Sequence, residues 1–112
     1  MNLKTQEELL AIKTEIASKN KKFYTFEVLL EDEETIATFY FKRPGRMEMS
    51  AISKMAASQD PHKATDTFIN TCYLGGDDKN ILFEEDNFDM FRQVEKGMFK
   101  VVEVKEIQIK KN

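Results

Sequence analysis

An α+β fold is predicted by three features of this 112-residue chain. A capped amphipathic stretch opens it, two runs of alternating apolar and polar residues follow, and after Pro44 the apolar spacing changes to three and four. The arrangement expected from these is an N-terminal helix over 1–22, a β-hairpin over 23–44 and a mainly helical region over 45–112, forming a small bundle. All of it fits a single domain over 1–112, long enough for one modest core. Hydrophobic residues make up 41% and charged residues 33%, with four Gly and two Pro, a composition of folded rather than disordered chains.

Thr5-Gln6-Glu7-Glu8 starts the first helix, Thr5 as N-cap and Glu8 reaching back to complete a capping box. Leu9, Ile12 and Ile16 share one face, suited to packing on the hairpin; an amphipathic arm docking on another subunit has the same pattern. The Lys19-Asn20-Lys21-Lys22 run places positive charge at the helix end, where the macrodipole favours it.

In the hairpin, Tyr24, Phe26, Val28 and Leu30 line one face of the first strand, and Ala37, Phe39 and Phe41 one face of the second. Glu31-Asp32-Glu33-Glu34-Thr35 between them is an acidic loop without the glycine of a tight two-residue turn. A lone hairpin is marginal in water, so its aromatic face requires cover from the helices or from another copy of the chain. The second case predicts a homo-oligomer.

Pro44 ends the second strand, because it cannot donate to a ladder. Met49, Ile52 and Ala56 then form one helical line, with Ala51 and Met55 beside it. Asp60-Pro61 is read as cap and first position of the next helix, Ala64, Phe68 and Cys72 as its buried side flanked by Ile69 and Tyr73, and Gly75-Gly76 as its terminator. Ile81-Leu82-Phe83 is a short apolar anchor. Glu84-Glu85-Asp86-Asn87 leads into a third helix bearing Phe88, Phe91 and Val94. Beyond it, Met98 and Val101 keep helical spacing while Val101 to Val104 and Ile107 to Ile109 carry β-branched residues. The C-terminal segment over 98–110 reads as helix or strand, with helix favoured through about residue 102.

Composition excludes several functions. A net charge of −3 supplies no general attraction to nucleic acid or anionic membrane. No apolar run approaches the roughly 20 residues of a membrane span, and Lys4, Glu7 and Glu8 interrupt any signal-peptide core. Neither nucleic acid nor membrane is an expected partner, and the expected location is the cytosol. One cysteine, Cys72, cannot form an internal disulfide.

No set of side chains points to catalysis. His62 is the only histidine, and as the second position of an exposed helix start it reads as a surface residue. Cys72 lies ten residues further along the same expected helix, roughly 15 Å away at about 1.5 Å rise per residue, which separates any Cys-His pair. Cys72 itself reads as a small buried apolar residue. One Cys and one His form no recognisable zinc set. An EF-hand loop counted from Asp77 has Lys79 third and Phe88 twelfth, and counted from Asp78 has Leu82 fifth, so calcium ligation fails in both registers. Glu84, Glu85, Asp86 and Asp89 suit the positive end of a helix dipole. Gly75-Gly76 lacks the spacing and the Lys of a phosphate loop. The chain is expected to be no enzyme, with no metal and no cofactor.

Binding features are plainer. Lys42, Arg43, Arg46 and Lys54 gather positive charge at the hairpin-to-helix junction, where Arg43 and Arg46 suit an acidic partner segment. Six methionines are a mild enrichment, and Met suits surfaces that grip variable apolar segments. Met49, Met55, Phe88 and Phe91 are the candidate lining of an exposed apolar groove.

A hairpin ending Phe41-Lys42-Arg43-Pro44, a helix beginning Arg46-Met47-Glu48, a helix opened by Asp60-Pro61 and ending Cys72-Tyr73-Leu74-Gly75-Gly76, an acidic helix start and a Lys-Lys-Asn terminus form a recognisable organisation. Over about residues 24–112 it resembles the tail assembly chaperones of tailed bacteriophages and prophages. The N-terminal helix has no counterpart in that pattern. The resemblance implies a small, mostly helical, non-enzymatic protein of the host cytosol that keeps a long tape-measure protein assembly-competent and recruits tail-tube subunits. In some members of the family a translational frameshift yields a longer form. The alternative is an oligomeric adaptor or minor structural protein of a mobile element.

Overall fold

The computed structural model describes residues 2–20, 22–58, 60, 62–103 and 109–111. Helix α1 (Gln6–Lys19) is followed by strands β1 (Phe23–Leu29) and β2 (Ile36–Lys42), helices α2 (Arg46–Ala56) and α3 (Lys63–Cys72), strand β3 (Tyr73–Gly76), 3₁₀ turns at Lys79–Phe83 and Glu85–Asn87, and helix α4 (Phe88–Val101). The class is α+β, as the sequence predicts. The strands form an antiparallel sheet of order β1-β2-β3.

The capping box at α1 is complete: Glu8 N–H donates to Thr5 Oγ1 at 3.2 Å, and Thr5 N–H to Glu8 Oε1 at 3.1 Å. In the hairpin Tyr24 pairs with Phe41, Phe26 with Phe39 and Val28 with Ala37, so both apolar stripes face the same way. Val28, Ala37, Phe39 and Phe41 are buried there under Ile52 of α2, Phe68, Ile69 and Cys72 of α3, and Val94 and Met98 of α4. The rings of Phe26, Phe41 and Phe68 pack centroid to centroid at 4.8 to 5.9 Å. Helices therefore cover the aromatic face within one chain. On the opposite face α1 lays Leu9 and Ile16 over Tyr40, with Ile12, Phe23 and Leu74 beside them. The sheet is the middle of three layers.

Two expectations need correction. Gly75-Gly76 does not terminate a helix: α3 ends at Cys72, and Tyr73, expected on its flank, turns extended (ψ 128°) and begins a third strand. The open edge of β2 captures it, pairing Phe41 with Tyr73 and Phe39 with Gly76 across a bulge. The two glycines serve that sheet. Gly76 sits at φ +107°, and a Cβ there would lie 2.4 Å from the Thr38 carbonyl oxygen, while Gly75 lets the Ile12 and Ile16 side chains of α1 lie directly on the backbone. Asp77 then closes the edge, its buried carboxylate accepting from the backbone N–H groups of Thr38 and Lys4, both at 2.7 Å.

The second correction is at α3, which begins at Lys63, two residues later than expected, with His62 as its N-cap; Asp60 Oδ1 accepts from the His62 N–H at 3.0 Å in the turn before the helix. Pro61 lies outside the described residues. The acidic lead into α4 stands where expected and takes the form of a 3₁₀ turn held by Asn87, whose Nδ2 donates to the Ile81 carbonyl at 2.9 Å and to Glu84 Oε2 at 3.1 Å. Helix α4 runs to Val101, within the favoured reading, but most of the choice between helix and strand beyond it falls on residues 104–108, outside the described residues.

Candidate functional site: an aromatic cleft with an acidic rim

Where the start of α3, the first 3₁₀ turn and the start of α4 converge, they leave a cleft of about 610 Å³. Its position follows from two anchors. Leu82 is buried in the core, which turns its neighbour Phe83 outward to 41% exposure, and Phe91 is buried one turn into α4, which leaves Phe88 at the helix start 48% exposed. Phe88 and Phe91 stack at 5.9 Å with their planes 14° apart, and Phe83 lies 6.5 Å from Phe91. The His62 imidazole stands edge-on to Phe88 at 5.3 Å and to Phe91 at 5.8 Å.

His62 is thus not the free surface residue expected from the sequence. Its side chain is 41% exposed, and Nδ1 lies 2.9 Å from Glu95 Oε2, an oxygen that also accepts from Thr65 Oγ1 at 2.8 Å. An ionised carboxylate only accepts, which places the proton on Nδ1. The imidazole is oriented by Glu95, as a general base would be, yet the hydroxyl beside it is committed to the same carboxylate and Cys72 is buried at the far end of α3. Burial also pushes the Cys72 thiol pKa up, away from the thiolate a nucleophile needs. Among the described residues no group of three or more His, Cys, Asp or Glu has a geometry that could hold a metal ion.

The rim is acidic. Asp66, Glu84 and Glu85 line the cleft, and Asp66, held partly out of water and near Asp60, has a carboxyl pKa raised above its ordinary value. Aromatic faces ringed by carboxylates suit an apolar side chain accompanied by cations, since rings accept both apolar contact and positive charge. A larger cleft of about 880 Å³ lies between the hairpin tip and α4, walled by Glu31, Glu33, Asp86 and Asp89. It has no aromatic wall, and its Gln93 is already bonded to Leu29.

The sequence-derived binding residues separate into two places. Phe88 and Phe91 are brought together in the cleft, Phe91 as buried floor and Phe88 as accessible wall. Met49 and Met55 sit half-buried on α2 against the core, and no α2 residue lines the cleft, so the four do not form one groove. Arg43 and Arg46 are exposed at the start of α2 and take part in no salt bridge among the described residues. Lys42 is held by Glu48; that hydrogen bond raises the pKa of the lysine and lowers that of the glutamate. Next to Arg46 on α2, Met47 is 83% exposed.

Phe83, Asp66, Thr65 and Glu95 escaped sequence reasoning. Phe83 carried a signal as the last residue of an apolar triplet before a charge run; Glu95, thirty-three residues from His62, carried none. The chain matches no family model, no curated protein and no solved structure. No helix among the described residues is long and apolar enough to cross a membrane.

Proposed function

We propose that this chain is a non-enzymatic tail assembly chaperone of the phage type, binding apolar helical segments of a long tape-measure-like partner and, through the assembled complex, tail-tube subunits. The observation that carries the reading is the accessible pair Phe83 and Phe88 over the buried Phe91, a place where a helix can set one apolar side chain without disturbing the core. The family assignment itself draws on the resemblance over residues 24–112. Its action needs no bond making: partner segments that would otherwise aggregate are held by apolar contact and released to a tighter assembly.

Co-expression with a tape-measure fragment and affinity capture tests it. Phe88→Ser and Phe83→Ser, both at exposed positions, should weaken capture by roughly tenfold or more, as an aromatic anchor at an interface does, with an unchanged thermal melt. Undiminished capture by the folded double variant would reject the cleft as the binding site, and no capture by the wild type would reject the chaperone reading.

A further inference from the structure

The rim of the aromatic cleft carries charge that the chain itself leaves unanswered. Asp66, Glu84 and Glu85 line the cleft beside Phe83 and Phe88, and the Glu85–Asn87 turn also borders the second cleft, walled by Glu31, Glu33, Asp86 and Asp89. Among the described residues no Lys or Arg lines either cleft, and none of these carboxylates is in a salt bridge. They are seven of the chain's 20 Asp and Glu; the other 13 are outnumbered by 17 Lys and Arg, so the net negative charge of the molecule resides here. A concave surface lined by one sign of charge focuses its field on whatever enters. Asp66 registers the missing counter-charge: partial desolvation first, and then Asp60, raise its carboxyl pKa, and a cation beside it would offset both.

The occupant must therefore combine two chemistries. Phe83 and Phe88, both exposed, offer ring faces on which an apolar side chain can be buried. On a helix, the residues three and four places from that side chain share its face, so they come over the rim when it is seated. We infer that the segment bound here is a basic amphipathic helix of the partner, with one apolar anchor against Phe83 and Phe88 and an Arg or Lys one turn to either side over Asp66, Glu84 and Glu85. Arginine suits the rim better than lysine, because its planar guanidinium forks onto a carboxylate and stacks on an aromatic ring, whereas an ammonium is a point charge. A neutral apolar helix would desolvate the rim carboxylates without pairing them, and the rim selects against it. The inference rests on the cleft being the docking site proposed above, and adds the charge of the segment that docks.

Fluorescence anisotropy with the full chain and synthetic helical peptides of about 18 residues tests it. The peptides share one Leu anchor and carry Arg, Gln or Glu at the positions four before and four after it. In low salt the Arg peptide should bind roughly tenfold tighter than the Gln peptide, with the Glu peptide weakest and the gaps closing in high salt. Glu84→Gln with Glu85→Gln should remove most of the Arg preference, and Glu84→Lys with Glu85→Lys should make the Glu peptide the tightest. Both positions are exposed, so the circular dichroism melts should match the wild type. Phe83→Ser with Phe88→Ser should weaken the Arg and Gln peptides alike, which reports on the cleft rather than on its charge. Equal affinity for the Arg and Gln peptides, both lost in the Phe variant, would overturn the inference and leave the apolar docking site standing. An Arg preference that survives the Gln changes, or Arg-peptide binding indifferent to the Phe changes, would place the contact elsewhere and overturn it too. Failure of both peptides to bind would overturn the inference together with the docking site.

Discussion

The carboxamide of Gln93 pairs with both backbone polar groups of Leu29. Its Oε1 accepts from the Leu29 N–H at 2.9 Å and its Nε2 donates to the Leu29 carbonyl at 2.8 Å, so a side chain of α4 stands where the next β-strand would be. Strand β1 is an edge of the sheet, and an uncovered edge is a template for pairing with other chains. The contact also ties α4 to the hairpin, and so sets where the start of that helix presents Phe88.

Gln93→Ala removes both bonds but leaves the Leu29 groups accessible to water. The expected loss of stability is about 1 kcal/mol, the net worth of one or two exposed hydrogen bonds. Urea unfolding should show a lower midpoint with an unchanged slope, and amide hydrogen exchange at Leu29 should accelerate well beyond the rest of β1. Protection at Leu29 equal to the wild type would mean that Gln93 does not cap the edge.

Gly76→Ala is expected to be far more costly. The position combines φ +107° with a carbonyl oxygen 2.4 Å from the new Cβ, and neither Thr38 nor Phe39, both backbone neighbours in the sheet, can yield as a side chain would. Strain of this kind amounts to roughly 1–3 kcal/mol before any clash is counted. Gly75→Ala meets only the ends of Ile12 and Ile16 side chains, and should cost less in the same thermal melt. Equal melting temperatures for the two variants would contradict this account of the turn.

These glycines mark the limit of what the sequence discloses. Local signals were legible: the Thr5–Glu8 capping box, the alternation that pairs Phe26 with Phe39, and the four-residue stripe that buries Ala64, Phe68 and Cys72 all have the structure their patterns imply. Strand β3 was not, because a Gly-Gly pair after an apolar helix is also a good helix stop. What decided between them was the open edge of β2, more than thirty residues earlier in the chain. The cleft was half legible for the same reason. Phe88 and Phe91 share a helical face, but their wall is completed by Phe83 and His62, and His62 is oriented by Glu95 through a contact no local pattern encodes.

Asp66 provides a pH test of the rim. Its carboxyl pKa is raised chiefly by desolvation, with the Asp60 charge second, so ionisation at neutral pH works against the fold despite a first-turn position that the helix dipole favours. For an acid whose folded pKa lies above its unfolded one, the penalty is full above the folded value and vanishes once pH falls below the unfolded value of about 3.9. Asp66→Asn should therefore melt higher than the wild type at pH 7, with the gap closing as the buffer is taken toward pH ~3. A gap independent of pH would show that the substitution acts through packing instead.

The last prediction concerns chemistry. His62 is oriented by Glu95 yet faces aromatic rings, and Cys72 is buried with a raised thiol pKa. In a binding protein neither should be needed for its reactivity. Gln at position 62 can still donate to Glu95 and fill part of the imidazole's place against Phe88, so His62→Gln should leave tape-measure capture within about twofold and lower stability by no more than about 1 kcal/mol. Cys72→Ala removes one buried sulfur from the core and should cost about 1–2 kcal/mol through the space it leaves, with capture retained below the melt. Tail assembly in cells is the decisive readout. If folded His62→Gln protein captures its partner normally and yet fails to support assembly, the imidazole is doing proton chemistry, and the non-enzymatic reading falls.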